Sequence, residues 1–183
     1  VGVGGGTRVV PGQGGPAWGG VDKRVAVGDG GAWKPASKIA EQAANPPNPG
    51  KQEAWRLYDS RGMATADLLG LEGEDPASME RIVAHHPSDH TIMRTIARAD
   101  LSQVEPLLVD VWRDGKLVYD LPDIEAIRKQ RVTDVQRLDA GVRRLINPHT
   151  YHVSLTQKRW DLKQGFIRSA LGTEGAATMD ITK

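Results

Sequence analysis

The stretch AWRLYDSRGMATADLL at residues 54–69 decides the fold class of this chain. Two runs of aromatic and aliphatic residues, Ala54–Tyr58 and Met63–Leu69, flank the segment Asp59–Gly62. Asp and Gly are typical turn residues, because Asp bonds to nearby backbone amides and Gly accepts a positive φ. The stretch therefore predicts two strands joined by a tight turn, which is the pattern of a β-hairpin.

Similar patterns occur on the N-terminal side of this hairpin. Val21–Val27 and Ala32–Ile39 flank the turn signal Gly28–Gly31, so they predict another pair of strands. Residues 37–44 also have the local propensity of a short helix. The Pro- and Asn-rich residues 45–50 favour a strand followed by a loop, because proline does not let a helix persist.

Further strands are predicted downstream. Ile82–His85 is one, and Val104–Trp112 is another that a proline interrupts. The dipeptide at 114–115, Asp-Gly, is a hairpin turn after which Lys116–Tyr119 can pair back. Residues 21–120 are therefore predicted to form a β-rich domain of successive hairpins.

The period of the apolar residues changes after Pro122. The acidic residues Asp120 and Asp123 favour a helix N-terminus at this point, because they interact with its free amides. The residues that recur at helical spacing are Ile124, Ile127, Val135 and Leu138. A first helix is predicted here.

Two more helices are predicted before the C-terminus. Val142, Leu145 and Ile146 have the spacing of a short amphipathic helix that Pro148 ends. The segment 154–157, Ser-Leu-Thr-Gln, has the form of a capping box that opens a third helix. The residues expected on one face of that helix, with its C-cap, are Trp160, Ile167, Leu171 and Gly172. Residues 121–172 are thus predicted as a helical region and 173–183 as a flexible tail.

The composition excludes several classes of protein. The 183 residues carry a net charge of +1 without a long block of one sign, so no general nucleic-acid-binding face is indicated. No apolar run approaches the roughly 18 residues of a membrane span. The absence of Cys excludes disulfides and thiolate chemistry, and it fits a reducing compartment.

The glycine-rich start, VGVGGGTRVV at residues 1–10, is the segment that favours chemistry. Glycines let backbone amides approach an anion closely, and Thr7 adds a hydroxyl donor. The stretch Gly-Val-Gly-Gly-Gly-Thr at residues 2–7 therefore has the form of a loop that cradles a phosphate. A flexible linker or a turn without a ligand is the alternative, and the spacing is not that of a P-loop.

Other polar residues favour structural roles. His85, His86 and His90 are predicted in a solvated loop rather than a metal site, because no carboxylate completes a ligand set at helical spacing. His149 and His152 are predicted at the surface or at a helix cap. The remaining expectations are a solvated acidic loop at Glu72, Glu74 and Asp75, an exposed pair at Arg143 and Arg144, and Trp residues as core or interface anchors.

Seven segments occur in one order along most of the chain: VGVGGGTRVV (1–10), GGPAWGGVDK (14–23), WKPASKI (33–39), NPGKQEAWRLYD (48–59), VEPLL (104–108), GKL (115–117) and NPHTYHVSL (147–155). Together they resemble the nicotinate phosphoribosyltransferase family, in the part that follows its barrel. The resemblance covers about residues 1–171.

The resemblance implies an enzyme of NAD salvage. Such an enzyme joins nicotinate to phosphoribosyl pyrophosphate, forms nicotinate mononucleotide and pyrophosphate, and couples ATP hydrolysis through a phosphohistidine, with Mg²⁺. It implies an α+β fold in which residues 1–20 end an irregular α/β barrel and are followed by the β-hairpin-rich domain and the C-terminal helices. A cytosolic homodimer is expected, with neither nucleic acid nor membrane as a partner.

The resemblance assigns binding of the phosphoribosyl phosphate to Gly4, Gly5, Gly6 and Thr7. It assigns no catalytic or metal-binding residue to this segment, since the phosphorylated histidine and the nicotinate-binding residues lie upstream. The loop is longer than the family's Gly-x-Gly-Thr, and Asp22 replaces a family Tyr. Two alternatives stay open: a non-enzymatic binding module or split subunit, and the related nicotinamide-using phosphoribosyltransferase.

Overall fold

The computed structural model of the chain describes residues 24–28, 31–36 and 48–179. The chain divides into two compact units, one formed by Val1–Lys51 with Gly165–Lys183 and one formed by Gln52–Gln164. The predicted phosphate loop at residues 1–20 and the alternative helix at residues 37–44 lie outside the described residues. The domain boundaries at 20, 120 and 172 stay predictions.

The first unit contains a short hairpin. Strand β1 (Ala26–Gly28) pairs antiparallel with β2 (Trp33–Pro35). This pairing confirms the predicted hairpin over its described part. The Trp33 ring is half exposed, and the Lys51 ammonium lies 5.2 Å from its centroid.

The second unit is built on a six-stranded sheet. In chain order its strands are β3 (Gln52–Asp59), β4 (Ala64–Leu71), β5 (Arg81–His85), β6 (Met93–Ala97), β7 (Leu101–Pro106) and β10 (His152–Thr156), with the two-residue strands β8 (Trp112–Arg113) and β9 (Lys116–Leu117) in a separate hairpin. The spatial order in the sheet is β6-β5-β10-β4-β3-β7. The pair β10–β4 is parallel, and the other neighbours are antiparallel.

The predicted hairpin at residues 54–69 is confirmed as β3 and β4. Buried residues alternate strictly along β4, as expected for a strand with its two faces in different surroundings. The turn closes through a bond from the Gly62 amide to the Asp59 carbonyl at 2.9 Å. Gly62 has a φ of 74°, a conformation that a side chain would strain.

The capping box predicted at 154–157 is wrong. Residues 154–156 belong to β10, and the helix begins at Gln157. The amide of Arg159 donates to the Thr156 hydroxyl at 3.3 Å, so the capping position is Thr156. Ser154, Leu155 and Thr156 are buried between β4 and β5, and this tertiary pairing outweighs the local signal.

The insertion of β10 also changes the predicted run of hairpins over residues 21–120. Strands β4 and β5 follow each other in sequence but are separated by β10 in the sheet. The region predicted as helical over 121–172 therefore supplies a central strand. Strand β6 was not predicted from the sequence.

The strand predicted over Val104–Trp112 is only partly right. Strand β7 begins at Leu101 and ends at Pro106, and residues 107–111 form no strand. The missing amide of proline ends the ladder at this position. The turn at Asp114 and Gly115 is confirmed between β8 and β9, with φ values of 49° and 75°, but β9 ends at Leu117 instead of Tyr119.

The predicted helices form with different limits. Helix α1 (Ile124–Gln136) begins as expected, because the Asp123 carboxylate accepts the Ala126 amide at 2.7 Å. Helix α2 (Ala140–Arg143) is shorter than predicted, and Leu145 and Ile146 lie beyond it, exposed at 99% and 79%.

Helix α3 (Gln157–Met179) continues through the predicted C-cap Gly172, and residues 173–179 of the predicted tail are helical. Its most buried described side chains are Arg159 and Lys163, whereas the apolar Trp160 and Ile167 are only partly buried. The apolar spacing therefore does not mark the face that packs most deeply.

The apolar core lies across the sheet. Burial of a large apolar side chain in this core contributes about 1.5–3 kcal/mol relative to exposure. The buried members of the core are Trp55, Leu57, Ala66, Leu68, Ile82, Ala84 and Leu101.

A buried polar network joins α3 to the sheet, and it corrects the prediction that Glu74 lies in a solvated loop. The Glu74 carboxylate is 9% exposed and accepts the Leu71 amide at 2.6 Å and the Thr156 hydroxyl at 2.8 Å. The fully buried Arg159 guanidinium donates to the Gly70 carbonyl at 2.6 Å and to Gln52 at 2.9 Å. Burial lowers the pKa of Arg159, and the negative charge of Glu74 opposes this effect.

Candidate functional site

A cleft of about 570 Å³ lies within the unit Gln52–Gln164, beside the β3–β4 turn. Its walls come from that turn, from β4, from β6, from α2 and from the segment that leads into β10. The lining residues are Asp59, Arg61, Met63, Ala64, Thr65, Arg94, Asp139, Val142, His149, Thr150 and His152.

One wall contains two carboxylates joined by a single guanidinium. Arg61 bonds to Asp59 at 2.8 Å and to Asp139 at 3.2 Å. Asp59 also accepts the amides of Arg61 and Met63, each at 2.9 Å, and Asp139 accepts the Gly141 amide at 2.8 Å as the cap of α2. Backbone and guanidinium donors therefore occupy both carboxylates.

The pKa values of these carboxylates follow from their partners. Desolvation raises the pKa of Asp59, but the hydrogen bonds from Met63 and Arg61 outweigh it and leave the pKa lowered. The Gly141 amide and then Arg61 lower the pKa of Asp139. Both side chains are therefore ionised at neutral pH, and neither is placed to act as a proton donor.

The lining of the cleft also includes the cationic side chain of Arg94 and the imidazole of His152. Arg94 is an exposed residue of β6, and His152 is the first residue of β10. Burial, then the charge of Arg94, then His86 lower the pKa of His152 below its ordinary value of 6.5. The backbone of Arg94 pairs with Ala84 in the sheet, but within the part of the chain that the structure describes its side chain takes part in no hydrogen bond or ion pair.

The start of β10 is fixed by an adjacent ion pair. Arg56 binds Asp67 across β3 and β4 through two hydrogen bonds, at 2.8 and 3.0 Å. The Tyr151 hydroxyl donates to the same carboxylate at 2.8 Å. Burial, followed by this bond to Asp67, raises the pKa of Tyr151. The neutral Tyr151 therefore holds the backbone that presents His152 to the cleft.

Sequence reasoning did not identify this cleft. It placed His149 and His152 at the surface or at a helix cap, and it did not single out Arg94. The structure brings both histidines into one cleft, where the His149 amide bonds to the Gly141 carbonyl at 2.8 Å. A lone arginine in a strand has no local sequence signal, because its neighbours in the cleft come from β4 and β10.

His85 departs from the predicted solvated loop, whereas His86 and the exposed His90 lie in the connection between β5 and β6 as expected. His85 is 8% exposed in β5, its ring stacks on Trp160 with centroids 5.0 Å apart, and its Nε2 is 2.8 Å from Gln157 Oε1. The edge of His90 also contacts Trp160. His86 lies in the connection to β6 and accepts the Asp89 amide at 3.0 Å. Among the residues that the structure describes, no three potential metal ligands converge.

The other predicted sites have different outcomes. Gly4, Gly5, Gly6 and Thr7 lie outside the described residues, so their phosphate-binding role stays a prediction. Arg143 and Arg144 are exposed as expected, and Arg144 donates to the Asn147 carbonyl at 2.7 Å. Trp55 is a core residue, as predicted for a Trp anchor.

The comparison with known families assigns the fold that carries this cleft. The family model for the nicotinate phosphoribosyltransferase C-terminal domain matches residues 51–163 of this chain. The chain belongs to the nicotinate phosphoribosyltransferase family. The match includes both walls of the cleft and the whole six-stranded sheet, and it confirms the family resemblance of the sequence.

Relatives named nicotinate phosphoribosyltransferase match most of the chain. The protein from Caenorhabditis elegans is 31% identical over 84% of this chain and 26% of its own length. The human protein is 33% identical over 85% of this chain and 28% of its own length, and the Bos taurus protein has the same values. The chain therefore spans about a quarter of the length of these relatives.

A solved structure supports the same fold. The crystal structure of human nicotinic acid phosphoribosyltransferase matches 67% of this chain and 25% of its own chain, with a TM-score of 0.57 and 28% identity. The α+β class is therefore confirmed for this family member. None of the described helices combines the length and the apolar character needed to cross a bilayer.

Proposed function

We propose that this chain is the C-terminal part of a nicotinate phosphoribosyltransferase. The complete enzyme would form nicotinate mononucleotide and pyrophosphate from nicotinate and phosphoribosyl pyrophosphate, coupled to ATP hydrolysis, in cytoplasmic NAD salvage. The observation that carries the proposal is the family match over residues 51–163, together with relatives of that name over 84–85% of the chain.

The proposed role of the N-terminal loop is to hold one end of a substrate. Gly4, Gly5 and Gly6 would offer backbone amides to the 5-phosphate of phosphoribosyl pyrophosphate, and Thr7 would add a hydroxyl donor. Such contacts position the substrate, and positioning contributes to rate only where the reacting groups are also present. We therefore expect the chain alone to have no turnover.

We propose Mg²⁺ and ATP as requirements of the complete enzyme because the family resemblance implies them. Metal ions of this kind prefer carboxylate oxygens and phosphates as ligands. The described part of the chain has no cluster of three carboxylate or histidine ligands, so it does not fit a metal site of its own. We derive no step through Mg²⁺ from these residues, and none of the five histidines is assigned the role of the phosphorylated residue.

Residues 107–135 expose many large apolar side chains, which supports the proposal that this chain is part of a larger enzyme. Helix α1 has no buried residue, and Leu121 and Trp112 are exposed at 63% and 65%. Other exposed large apolar residues here are Leu108, Val109, Val111, Leu117, Val118, Tyr119, Ile124, Ile127, Val132 and Val135. Exposed apolar area of this kind marks contact surfaces. We propose that the upstream part of the same enzyme, in a homodimer, covers it.

The proposal is tested with two proteins. The purified chain is assayed for nicotinate mononucleotide, and no product is expected. A chimera then carries this chain in place of the matching C-terminal region of the human relative. We expect product from nicotinate, and none or far less from nicotinamide, because the base-binding residues come from the human part. A folded chimera without activity would contradict the enzymatic assignment and favour a non-enzymatic binding module.

The loop is tested within the same chimera. Thr7→Val removes one hydroxyl donor, so the KM for phosphoribosyl pyrophosphate should rise about tenfold. Thr95→Val is the matched control, because Thr95 is an exposed residue of β6 that does not line the cleft. Equal KM values in the two variants would contradict the proposed role of Thr7.

A further inference from the structure

In the cleft beside the β3–β4 turn, the negative charges are engaged by other groups of the protein, whereas one positive charge is not. Its two carboxylates are already engaged by Arg61 and by backbone amides. Arg94 faces the same space, and in the described part of the chain it has no counter-ion. A guanidinium without a partner at the edge of a concave site attracts an anion, and it can donate two parallel hydrogen bonds to it.

The positive charge of Arg94 affects His152, which lines the same cleft. It is the largest contribution after burial to the lowered pKa of His152. Arg94 and His152 line the same cleft, so the positive charge of the guanidinium opposes protonation of the imidazole. An anion that bridges them would remove the repulsion and would accept hydrogen bonds from both.

The size and the hydroxyl groups of the cleft limit the ligand class. A volume of about 570 Å³ is within the usual range of ligand sites and exceeds the volume of a single oxyanion. The exposed Thr150 also lines the cleft and carries a hydroxyl group. Arginine, imidazole and hydroxyl donors around one space are the usual surroundings of a phosphate group.

We propose that this cleft binds the phosphate group of a small ligand through Arg94 and His152. Because a bound dianion stabilises the imidazolium, phosphate should raise the pKa of His152, and protonation of His152 should tighten phosphate binding as the pH falls. The inference does not depend on the proposed enzymatic reaction, since it concerns residues that the described chain itself supplies.

Several other titratable or charged groups line the cleft or act on His152, and they enter the pH dependence of the site. The groups on the surrounding elements are Arg94 on β6, His86 in the β5–β6 connection, Asp59 and Arg61 in the β3–β4 turn, Asp139 at the start of α2, and His149. The two aspartates stay ionised across neutral pH because hydrogen bonds lower their pKa values. The change in charge that the proposal concerns is therefore that of His152.

The test is a ¹H NMR titration of the histidine ring protons in the full chain, with His152→Gln used to assign the signal. Inorganic phosphate is expected to raise the pKa of His152, while acetate at equal ionic strength leaves it nearly unchanged. An equal effect of acetate would overturn the phosphate class. Glycerol 3-phosphate is the second arm, and tighter binding than inorganic phosphate would identify a phosphate ester as the ligand.

The geometry is tested with matched charge variants. Arg94→Gln should weaken phosphate binding about tenfold. In phosphate-free buffer the same variant should raise the pKa of His152, because the repulsion is lost. Arg131→Gln, on the exposed surface of α1, makes the same change in net charge outside the cleft and should leave both values unchanged. Unchanged phosphate affinity in Arg94→Gln, or equal losses in both variants, would overturn the proposal.

Discussion

At the scale of single residues, Gly70 shows how closely the polar network and the core approach each other. A Cβ atom at this position would lie 2.7 Å from Trp55, 2.8 Å from the Glu74 carboxylate and 3.0 Å from Thr156. All three neighbours are buried, so they have little room to move. We predict that Gly70→Ala lowers the free energy of unfolding by about 1–3 kcal/mol, measured by urea denaturation.

Gly165→Ala is the control for Gly70→Ala. Gly165 lies inside α3, and no heavy atom comes within 4 Å of a Cβ placed there. Alanine favours the helix over glycine, so this variant should raise the free energy of unfolding by up to about 1 kcal/mol. If both variants shifted stability in the same direction, the close approach at Gly70 would not be the cause.

Residues such as Glu74 and His85 mark the limit of prediction from local sequence. Both were expected in solvated loops, because acidic residues and paired histidines are usually exposed. Glu74 is instead buried because the Thr156 hydroxyl and the Leu71 amide satisfy its carboxylate. His85 is buried against Trp160. Their partners at 156 and 160 are 82 and 75 residues away in sequence, by subtraction of the numbering, so no local pattern contains them.

At the scale of elements, the junction of β10 and α3 depends on one hydroxyl. Thr156 accepts the Arg159 amide at 3.3 Å and donates to Glu74 at 2.8 Å. Thr156→Val keeps the shape and removes both bonds, so we predict a loss of about 1 kcal/mol in the free energy of unfolding. Thr156→Ser retains the hydroxyl and should lose clearly less. Thermal unfolding of the two variants compares them, and equal losses would contradict the dominant role of the hydroxyl.

The elements that the sequence predicted well are those whose partners are close in the chain. The hairpins β1–β2, β3–β4 and β8–β9 have a turn that the sequence itself specifies through Gly or Asp. Strand β10 differs, because its neighbours β4 and β5 are about 70–90 residues away by the numbering. The local sequence of β10 indicates the start of a helix, and its residues are extended because they pair with β4 and β5.

At the scale of the whole molecule, the sequence order of seven segments identified the family, while the described fold supplied the cleft. The family assignment needs only short motifs in a fixed order, and these can be read directly from the amino-acid sequence. The Arg94–His152 arrangement needs β6 and β10 to flank β5, which is a property of the strand order. The predicted phosphate loop at Gly4–Thr7 is a separate expectation, which the KM of the Thr7→Val variant of the chimera tests.

The exposed face of α1 gives the last prediction. Ile124 and Ile127 are 60% and 49% exposed, so the double variant Ile124→Ser/Ile127→Ser should change the free energy of unfolding of the chain alone by less than about 0.5 kcal/mol per site. If the upstream part of the enzyme covers this face, each substitution should destabilise the chimera by about 1.5–3 kcal/mol. Differential scanning fluorimetry of both proteins measures the contrast. Ile92→Ser, at a residue 42% exposed between β5 and β6, is the control and should have a small effect in both. The same small effect of the double variant in the chimera would show that α1 stays exposed, and another surface would then have to join this domain to the rest of the enzyme.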